Sequence, residues 1–338
     1  MNRVKNVNRL FLVMILISIA SPFLFGRFFG NLTFYQSSAV SEALFLIPVL
    51  CYIALTGGLC LNDLQLQVPR ISVLLLVMVF TWLMMPLMTC LNLFSMLFAR
   101  NYVASELLGL DGAALGKNLF YIAIVPALAE EFMFRGIIYH GYRLAGAGKA
   151  ILFSGLCFGL LHMNLNQFCY AFVIGMIFAL LVEATGSLLS SMLAHFIINS
   201  NSVILMAFQN ELEKSLGTAA EGLTSGTVQG GADVLSRQEI LSTLGFYAVE
   251  AVICGFLAYG VLRLILRLSG RKEYMQQAFG KDSSRDTDDR SRDTDDSSRD
   301  TDESGRDTDG QRIKIVTPSL ILAVLCAAAY MIVTEFWL

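Results

Sequence analysis

Long apolar runs, separated by short polar segments, dominate the chain. We expect membrane-spanning helices at 10–29, 40–60, 72–98, 118–141, 150–163, 168–184, 188–208, 242–266 and 315–337. A helix needs roughly 20 apolar residues to cross a hydrocarbon core about 30 Å thick, and most of these runs reach that length. They do not alternate apolar and polar positions, as the strands of an outer-membrane barrel would. The pattern predicts an all-α fold, a polytopic transmembrane helix bundle of about eight or nine helices.

The same pattern divides the chain into six segments. We predict N-terminal transmembrane helices at 1–117, a transmembrane core at 118–208, an extracytoplasmic loop at 209–241, a transmembrane helix at 242–266, a charged, disordered linker at 267–314 and a C-terminal transmembrane helix at 315–338. Within the linker, the tetrad Arg-Asp-Thr-Asp recurs at 285, 292, 299 and 306. No apolar residue of this tract can form a coiled-coil seam or a core, so we expect a solvated, disordered segment.

Composition supports the membrane assignment. Of the 338 residues, 55% are hydrophobic and only 15% are charged, whereas soluble domains carry about 25% charged residues. The expected partner is therefore the lipid bilayer, and the absence of a large basic patch argues against a nucleic-acid partner. The seven cysteines form no CxxC pair, so neither a disulfide framework nor a zinc ribbon is indicated.

The distribution of positive charge predicts the orientation of the chain. Arg3, Lys5 and Arg9 precede the first apolar run, which places the N-terminus in the cytoplasm. We expect that run to be a retained span, since no small-residue cleavage site follows it. Alternation through the spans then places the repeat linker in the cytoplasm and the acidic 209–241 loop outside. The protein is thus expected to be a multi-pass integral membrane protein.

Ionisable residues inside apolar spans are costly, so each of them is a candidate for function. The fourth predicted span contains Glu130, Glu131 and Arg135. Glu131 and Arg135 are four residues apart and can pair on one helix face, whereas Glu130 is rotated by about 100° and is left freer to act. Pro126 has no backbone N–H, so it should free the carbonyl of Ile122 and kink the helix just before the acids.

Two further spans carry polar side chains on one face. In the fifth span, Gly155, Gly159 and His162 share a face, and the two glycines form a small-xxx-small pattern that lets helices approach closely. In the seventh span, His195 and Asn199 lie well inside the apolar run. A carboxylate and an imidazole can deprotonate a water. A second imidazole and an amide can stabilise the oxyanion that forms when that water attacks a carbonyl.

These groups meet only if they lie at similar depths in the membrane. Glu130, His162 and His195 reach a common depth if the fourth helix continues to about Tyr142. That extension places Arg135 within the bilayer, where we expect a water-filled cavity around it. The third histidine, His140, is expected at an interface.

The ordered set of three motifs resembles the CPBP family, which includes the CAAX prenyl endopeptidases and the bacterial Abi-type bacteriocin-processing and immunity proteins. The resemblance covers about 118–208, and it is carried by Glu130-Glu131-x-x-x-Arg135, Phe158-x-x-x-His162 and His195-x-x-x-Asn199. It implies an intramembrane endopeptidase that hydrolyses a peptide bond of a membrane-associated or lipidated protein or peptide. It also implies that Glu130 and His162 activate the water, that His195 and Asn199 form the oxyanion site, and that Glu131 and Arg135 shape it.

The need for a metal and the function itself both have alternatives. We favour glutamate-activated water without a cofactor, because the HExxH helix of soluble metalloproteases is absent. If the enzyme uses zinc, the candidate ligands are Glu130, His162 and His195. The alternative functions are a non-catalytic bacteriocin-immunity or scaffold protein and a proton-coupled transporter. Transport is disfavoured because no internal repeat relates the two halves of the chain.

Overall fold

The computed structural model describes residues 3–30, 32–56, 64–103, 110, 114–221, 236–279 and 313–337. Across these residues the fold is all α-helical and contains no strand, which confirms the predicted fold class. The helices are α1 (Arg3–Leu24), α2 (Phe34–Thr56), α3 (Ile71–Met96), α4 (115–143), α5 (Ala147–Leu161), α6 (Leu165–Thr185), α7 (Leu188–Glu221), α8 (Arg237–Leu268), α9 (Lys272–Phe279) and α10 (Pro318–Phe336).

Seven of the described helices, namely α1, α2, α3, α6, α7, α8 and α10, are long and apolar enough to cross a membrane. Large apolar side chains cover the outside of α8, where Phe246 is 67% exposed and Phe256 is 76% exposed. Apolar surface of this extent is stable against lipid and costly in water. The protein is therefore an integral membrane protein.

Contacts at one end of the bundle agree with the predicted alternation of spans. The side-chain amide of Asn8 donates to Ile315 O and to Thr317 Oγ1, both at 2.8 Å. The Tyr142 hydroxyl donates to Asn8 Oδ1 at 2.5 Å. The start of α1, the end of α4 and the start of α10 thus meet at the same end, as alternating spans require.

A buried carboxylate at that same end fixes α9. Glu183, at the end of α6, accepts hydrogen bonds from Tyr139 and Arg143. Arg271 donates from Nε to the backbone carbonyl of Glu183 at 2.6 Å, and its guanidinium lies 3.9 Å from the ring centroid of Tyr274 on α9. The prediction that the whole of 267–314 is a disordered linker is therefore wrong for its first part. This part is helical because its basic and aromatic side chains find buried partners.

The predicted extracytoplasmic loop at 209–241 is also too long. Helix α7 continues to Glu221, through a polar stretch rich in residues with high helix propensity. Helix α8 begins at Arg237, where Ser236 and Glu239 form a capping box. The remainder, 222–235, and the Arg-Asp-Thr-Asp repeats lie outside the described residues.

Helix α4 carries the predicted acidic motif and is continuous to Arg143, as the common-depth argument required. It contains two π-helical segments, Leu119–Ile124 and Phe132–Tyr139, on either side of the α-helical turns Val125–Glu131. The first π segment ends just before Pro126, which cannot donate a backbone hydrogen bond. The wider turns of a π segment are common at functional sites.

Candidate functional site

Glu131 forms the centre of a buried ionic cluster. Its Oε1 accepts from Arg135 Nη1 at 2.8 Å and from His195 Nδ1 at 3.0 Å. Glu131 and Arg135 are fully buried, and His195 is nearly so. The i,i+4 pair is confirmed, whereas the sequence did not indicate the cross-helix bond to His195. Because a carboxylate only accepts, Nδ1 of His195 must carry a hydrogen.

Protein groups surround the fully buried Arg135, although its Nε has no hydrogen-bond partner among the described residues. Its Nη2 donates to the carbonyl of Gly175 at 2.9 Å. The guanidinium carbon lies 4.4 Å from the ring centroid of Phe158 and 5.1 Å from that of Phe178. The expected water-filled cavity around Arg135 is therefore wrong, because a carboxylate, a carbonyl and two aromatic faces stabilise the charge in its place.

His162 lies at the end of α5, where the chain reverses. Its Nδ1 is 2.7 Å from the carbonyl oxygen of Phe158. The next residue, Met163, has a φ of 52°, a left-handed conformation that costs a non-glycine residue on the order of 1 kcal/mol. Asn164 then caps α6 by accepting from Gln167 N at 2.9 Å. Because the Phe158 carbonyl only accepts, Nδ1 of His162 carries the hydrogen, and Nε2 of the neutral ring carries the lone pair.

The aromatic rings of Phe158 and Phe178 pack against the two site histidines. The Phe158 ring centroid lies 4.8 Å from that of His162 and 5.9 Å from that of His195. Phe178 stacks on His195 with centroids 5.1 Å apart. Phe158 was part of the sequence motif, whereas Phe178 was missed, since an apolar residue inside an apolar span carries no sequence signal.

Close packing of α5 on α6 makes these contacts possible. A Cβ added to Gly155 would lie 2.8 Å from the backbone oxygen of Phe172, and one added to Gly175 would lie 2.8 Å from the Cα of Gly155. A Cβ at Gly159 would lie 3.0 Å from Phe172 N. The close approach predicted from Gly155 and Gly159 is confirmed.

Asn199 binds the backbone that Pro126 leaves unsatisfied. Its Nδ2 donates to the carbonyl oxygen of Ile122 at 2.9 Å. Ile122 lies four residues before Pro126, so its carbonyl lacks the usual helical donor. The freed carbonyl was predicted from the sequence, and its partner was not. One amide hydrogen of Asn199 is left for another acceptor, so its oxyanion role stays a prediction.

Glu130 differs from Glu131 in having no salt bridge to any residue of the part of the chain that the structure describes. Its Oε2 is buried and has no hydrogen-bond partner among the described residues. Within that part of the chain, no direct hydrogen bond joins it to His162, whose Nδ1 instead bonds the Phe158 carbonyl of its own helix. Two further carboxylates were missed by the sequence reasoning, the half-buried Glu42 on α2 and the buried Glu183 on α6. Both lie inside predicted spans, so the rule that flagged Glu130 applied equally to them.

His140 lies outside this cluster of site residues. Its Nδ1 is 2.7 Å from the carbonyl oxygen of Arg135, and its ring meets that of Tyr139 edge-to-face. The imidazole therefore contacts the backbone and a neighbouring ring of its own helix, α4.

The possible zinc ligands do not form a metal site in this structure. Across the described residues, no group of three or more His, Cys, Asp or Glu side chains is placed to hold a metal ion. The alternative set of Glu130, His162 and His195 therefore does not meet as ligands. The imidazole nitrogens explain part of this, because Nδ1 of His195 is bound to Glu131 and Nδ1 of His162 to a carbonyl.

A cavity of about 350 Å³ reaches His162 from the end of the bundle opposite Arg143. Its lining comes from α1, α2, the end of α5, α6, α10 and the turns beside them. It includes Ser18, Phe45, Tyr102, His162, Asn164 and Gln167. A substrate segment that enters here meets His162 without first crossing the ionic cluster.

Comparison with known proteins gives one match, which lies over the site. Residues 114–201 match the family model described as type II CAAX prenyl endopeptidase Rce1-like. This range includes α4, α5, α6 and the first half of α7. The match confirms the resemblance to the CPBP family that the three motifs predicted. No curated protein and no solved structure gives a significant match.

Proposed function

We propose that this chain, whose residues 114–201 match the CAAX endopeptidase family, is an intramembrane protease that hydrolyses a peptide bond of a membrane-associated or lipidated protein or peptide. The observation that supports it most is that the six predicted site residues all fall within the matched range. Three of them, Arg135, His162 and His195, lie against the ring of Phe158. The site lies among helices whose outer faces are apolar, which favours a membrane-bound substrate.

Water activation is assigned to Glu130 and His162. The Oε2 of Glu130 has no competing partner among the described residues, and Nε2 of a neutral His162 carries a lone pair. A water between them loses a proton to Glu130 as its oxygen attacks the scissile carbonyl carbon. When the C–N bond breaks, the same proton passes to the leaving amine, so Glu130 is restored at the end of the cycle.

Oxyanion stabilisation is assigned to His195 and Asn199. With Nδ1 held by Glu131, His195 can donate only from Nε2, and only as the imidazolium. The Glu131 carboxylate stabilises that cation, while Arg135 fixes the orientation of the carboxylate. Asn199 contributes its second amide hydrogen, and its first keeps the side chain in place on Ile122. Donors held in this way need little reorganisation during the reaction.

The test uses a reconstituted protein and matched variants. A prenylated peptide with a C-terminal CAAX sequence, in liposomes, serves as the probe. Glu130→Gln and His162→Ala should each lower the cleavage rate by about 100-fold or more. Glu250→Gln on α8 and His140→Ala are the controls, because they remove the same side-chain types from membrane helices outside the site.

Three results would contradict the assignment. Normal cleavage by Glu130→Gln would refute the proposed protease mechanism. Absence of cleavage by the folded wild-type protein, with this probe and with peptides from its own membranes, would favour the non-catalytic immunity or scaffold alternative. A proton flux across the membrane that requires Glu130, and that occurs without any peptide substrate, would favour the transporter alternative.

The proposed mechanism uses no metal, and this choice needs its own measurement. The adjacent guanidinium of Arg135 opposes a nearby dication, and the candidate ligands are not assembled. Elemental analysis of the purified active protein should find less than stoichiometric zinc, and exhaustive chelation should leave cleavage unchanged. If stoichiometric zinc is found, and its removal and return stop and restore cleavage, the metal alternative is correct.

A further inference from the structure

Another cavity, of about 330 Å³, lies at the end of the bundle that carries α9. It forms where the start of α3 and the end of α8 meet the end of α6, and α3 packs extensively on α8. Hydrogen bonds fix the segment that leads into α3. Gln65 O accepts from Leu188 N at 2.9 Å, and Gln67 O accepts from the Ser187 hydroxyl. The cavity is therefore built into the fold, and it shares no lining residue with the cavity at His162.

The lining of this cavity carries two positive charges. Arg70, which directly precedes α3, and Arg267, in the last turn of α8, both belong to it. Among the described residues that line the cavity, no side chain is acidic. Within the same part of the chain, neither guanidinium forms a salt bridge or a side-chain hydrogen bond. Two guanidinium groups without carboxylate partners attract an anion to the space that they share.

Neutral groups of the same cavity are suited to an anionic oxygen. The Ser269 hydroxyl oxygen is buried and has no hydrogen-bond partner among the described residues, so an acceptor that enters the cavity stabilises it. The first turn of α3 has no side-chain cap, which leaves backbone N–H groups beside Arg70. The carbonyls at the end of α8 are satisfied, because Gly270 N and Arg271 N donate to them. Guanidinium, hydroxyl and amide donors together match the oxygens of a phosphate.

The surroundings of the cavity indicate which kind of phosphate fits it. Val68 and Ile71, close to Arg70 in the chain, are exposed apolar side chains. Leu268, the last residue of α8, is another. Helices α3 and α8 are both long and apolar enough to cross a membrane, so the cavity lies where spans end and lipid headgroups begin. A phosphate that carries acyl chains covers this apolar surface, whereas a free phosphate leaves it uncovered.

We propose that this cavity binds the phosphate headgroup of an anionic phospholipid. The phosphate pairs with the guanidinium groups of Arg70 and Arg267 and accepts a hydrogen bond from the Ser269 hydroxyl. The acyl chains lie along the apolar side chains at the start of α3 and the end of α8. Since Thr185 of α6 is also part of the lining, the bound lipid joins the α3–α8 pair to the core of the bundle. None of these residues is assigned to catalysis, so the inference does not depend on the proposed protease function.

Native mass spectrometry of the purified full-length protein tests this site. The protein is delipidated in a neutral detergent and titrated with phosphatidylglycerol or with phosphatidylcholine of the same chain length. The wild-type protein should bind phosphatidylglycerol about tenfold more tightly, because the choline cation of the other lipid opposes the two arginines. Arg70→Gln and Arg267→Gln should each weaken the binding of phosphatidylglycerol by about tenfold. Ser269→Ala, which leaves the net charge unchanged, should weaken it by about threefold.

A matched control separates a specific site from general attraction to a positive surface. Arg263→Gln removes the same charge one turn earlier on α8, outside the cavity, and should change the affinity by less than about twofold. Equal losses in Arg263→Gln and Arg267→Gln would overturn the proposal. Displacement of phosphatidylglycerol by an equal concentration of inorganic phosphate would assign the cavity to a free anion and would also overturn it.

A stability measurement guards against variants that lose binding because they unfold. Arg70 and Arg267 are exposed, so in phosphatidylcholine micelles both variants should unfold at the same fraction of denaturing detergent as the wild type. Added phosphatidylglycerol should stabilise the wild type and Arg263→Gln, because a ligand that binds only the folded state favours it, and should not stabilise Arg70→Gln or Arg267→Gln. Equal stabilisation of all four proteins would contradict a lipid site in this cavity.

Discussion

Removal of the Arg135 guanidinium should be among the most destabilising single changes in the protein. Arg135→Met breaks a fully buried ion pair with Glu131, and loss of one partner from such a pair costs about 3–5 kcal/mol. The change also removes the hydrogen bond to Gly175 O and the contact with Phe158, the latter worth about 1 kcal/mol. Because methionine recovers part of the apolar burial, we expect a net loss of about 3–5 kcal/mol.

The assay measures the free energy of unfolding. The protein is unfolded reversibly in mixed micelles by raising the fraction of denaturing detergent. Arg263→Met is the control. Arg263 is exposed and donates to the Tyr259 hydroxyl one turn earlier on α8, so its loss should be within about 0.5 kcal/mol. The double variant Arg135→Met/Glu131→Gln should recover on the order of 1–3 kcal/mol of the single loss, since no buried charge is then left unpaired. If Arg135→Met proved as stable as Arg263→Met, the buried ionic cluster would be refuted.

Three further predictions concern packing, topology and the repeat tract. Gly155→Leu should destabilise the fold by several kcal/mol in the same assay, because a Cβ at this position would lie 2.8 Å from the backbone oxygen of Phe172. Gly245→Leu, on the outside of α8, is the control and should not destabilise it. Single cysteines at Ser225 and Ser298 in a cysteine-free background should react with an impermeant maleimide from opposite sides of the membrane; labelling from one side would contradict the alternating spans. Deletion of 284–309 should leave cleavage intact, and a loss of cleavage with normal accumulation would assign the repeats a role in the reaction.

The sequence predicted the contacts that lie within one helix. Glu131 and Arg135 are one turn apart, so their pairing follows from helix geometry alone. The free carbonyl of Ile122 follows in the same way from the missing N–H of Pro126. The common depth of the site residues required α4 to continue past Arg135, and the helix does so.

Contacts between helices could not be predicted in the same way. His195 and Asn199 were assigned to one oxyanion pair, yet His195 binds Glu131 and Asn199 binds Ile122 O. Which residue of α7 meets which turn of α4 depends on the rotation and tilt of both helices, and neither is encoded in spacing along the chain. The water-filled cavity was wrong for the same reason, since the aromatic faces around Arg135 come from α5 and α6. Glu42 was missed although a lone carboxylate in a span is a visible signal.

Mass spectrometry of membrane peptides tests the central claim most directly. Cells lacking the protein would be supplied with the wild-type chain, with Glu130→Gln or with Glu250→Gln, at equal abundance in the membrane. The account predicts that cells with the wild-type or the Glu250→Gln chain contain new peptide termini close to the membrane-bound ends of their parent proteins. Cells with Glu130→Gln should lack these termini. Identical sets of termini from all three chains would contradict the assignment of Glu130 to the hydrolysis of a membrane-bound substrate.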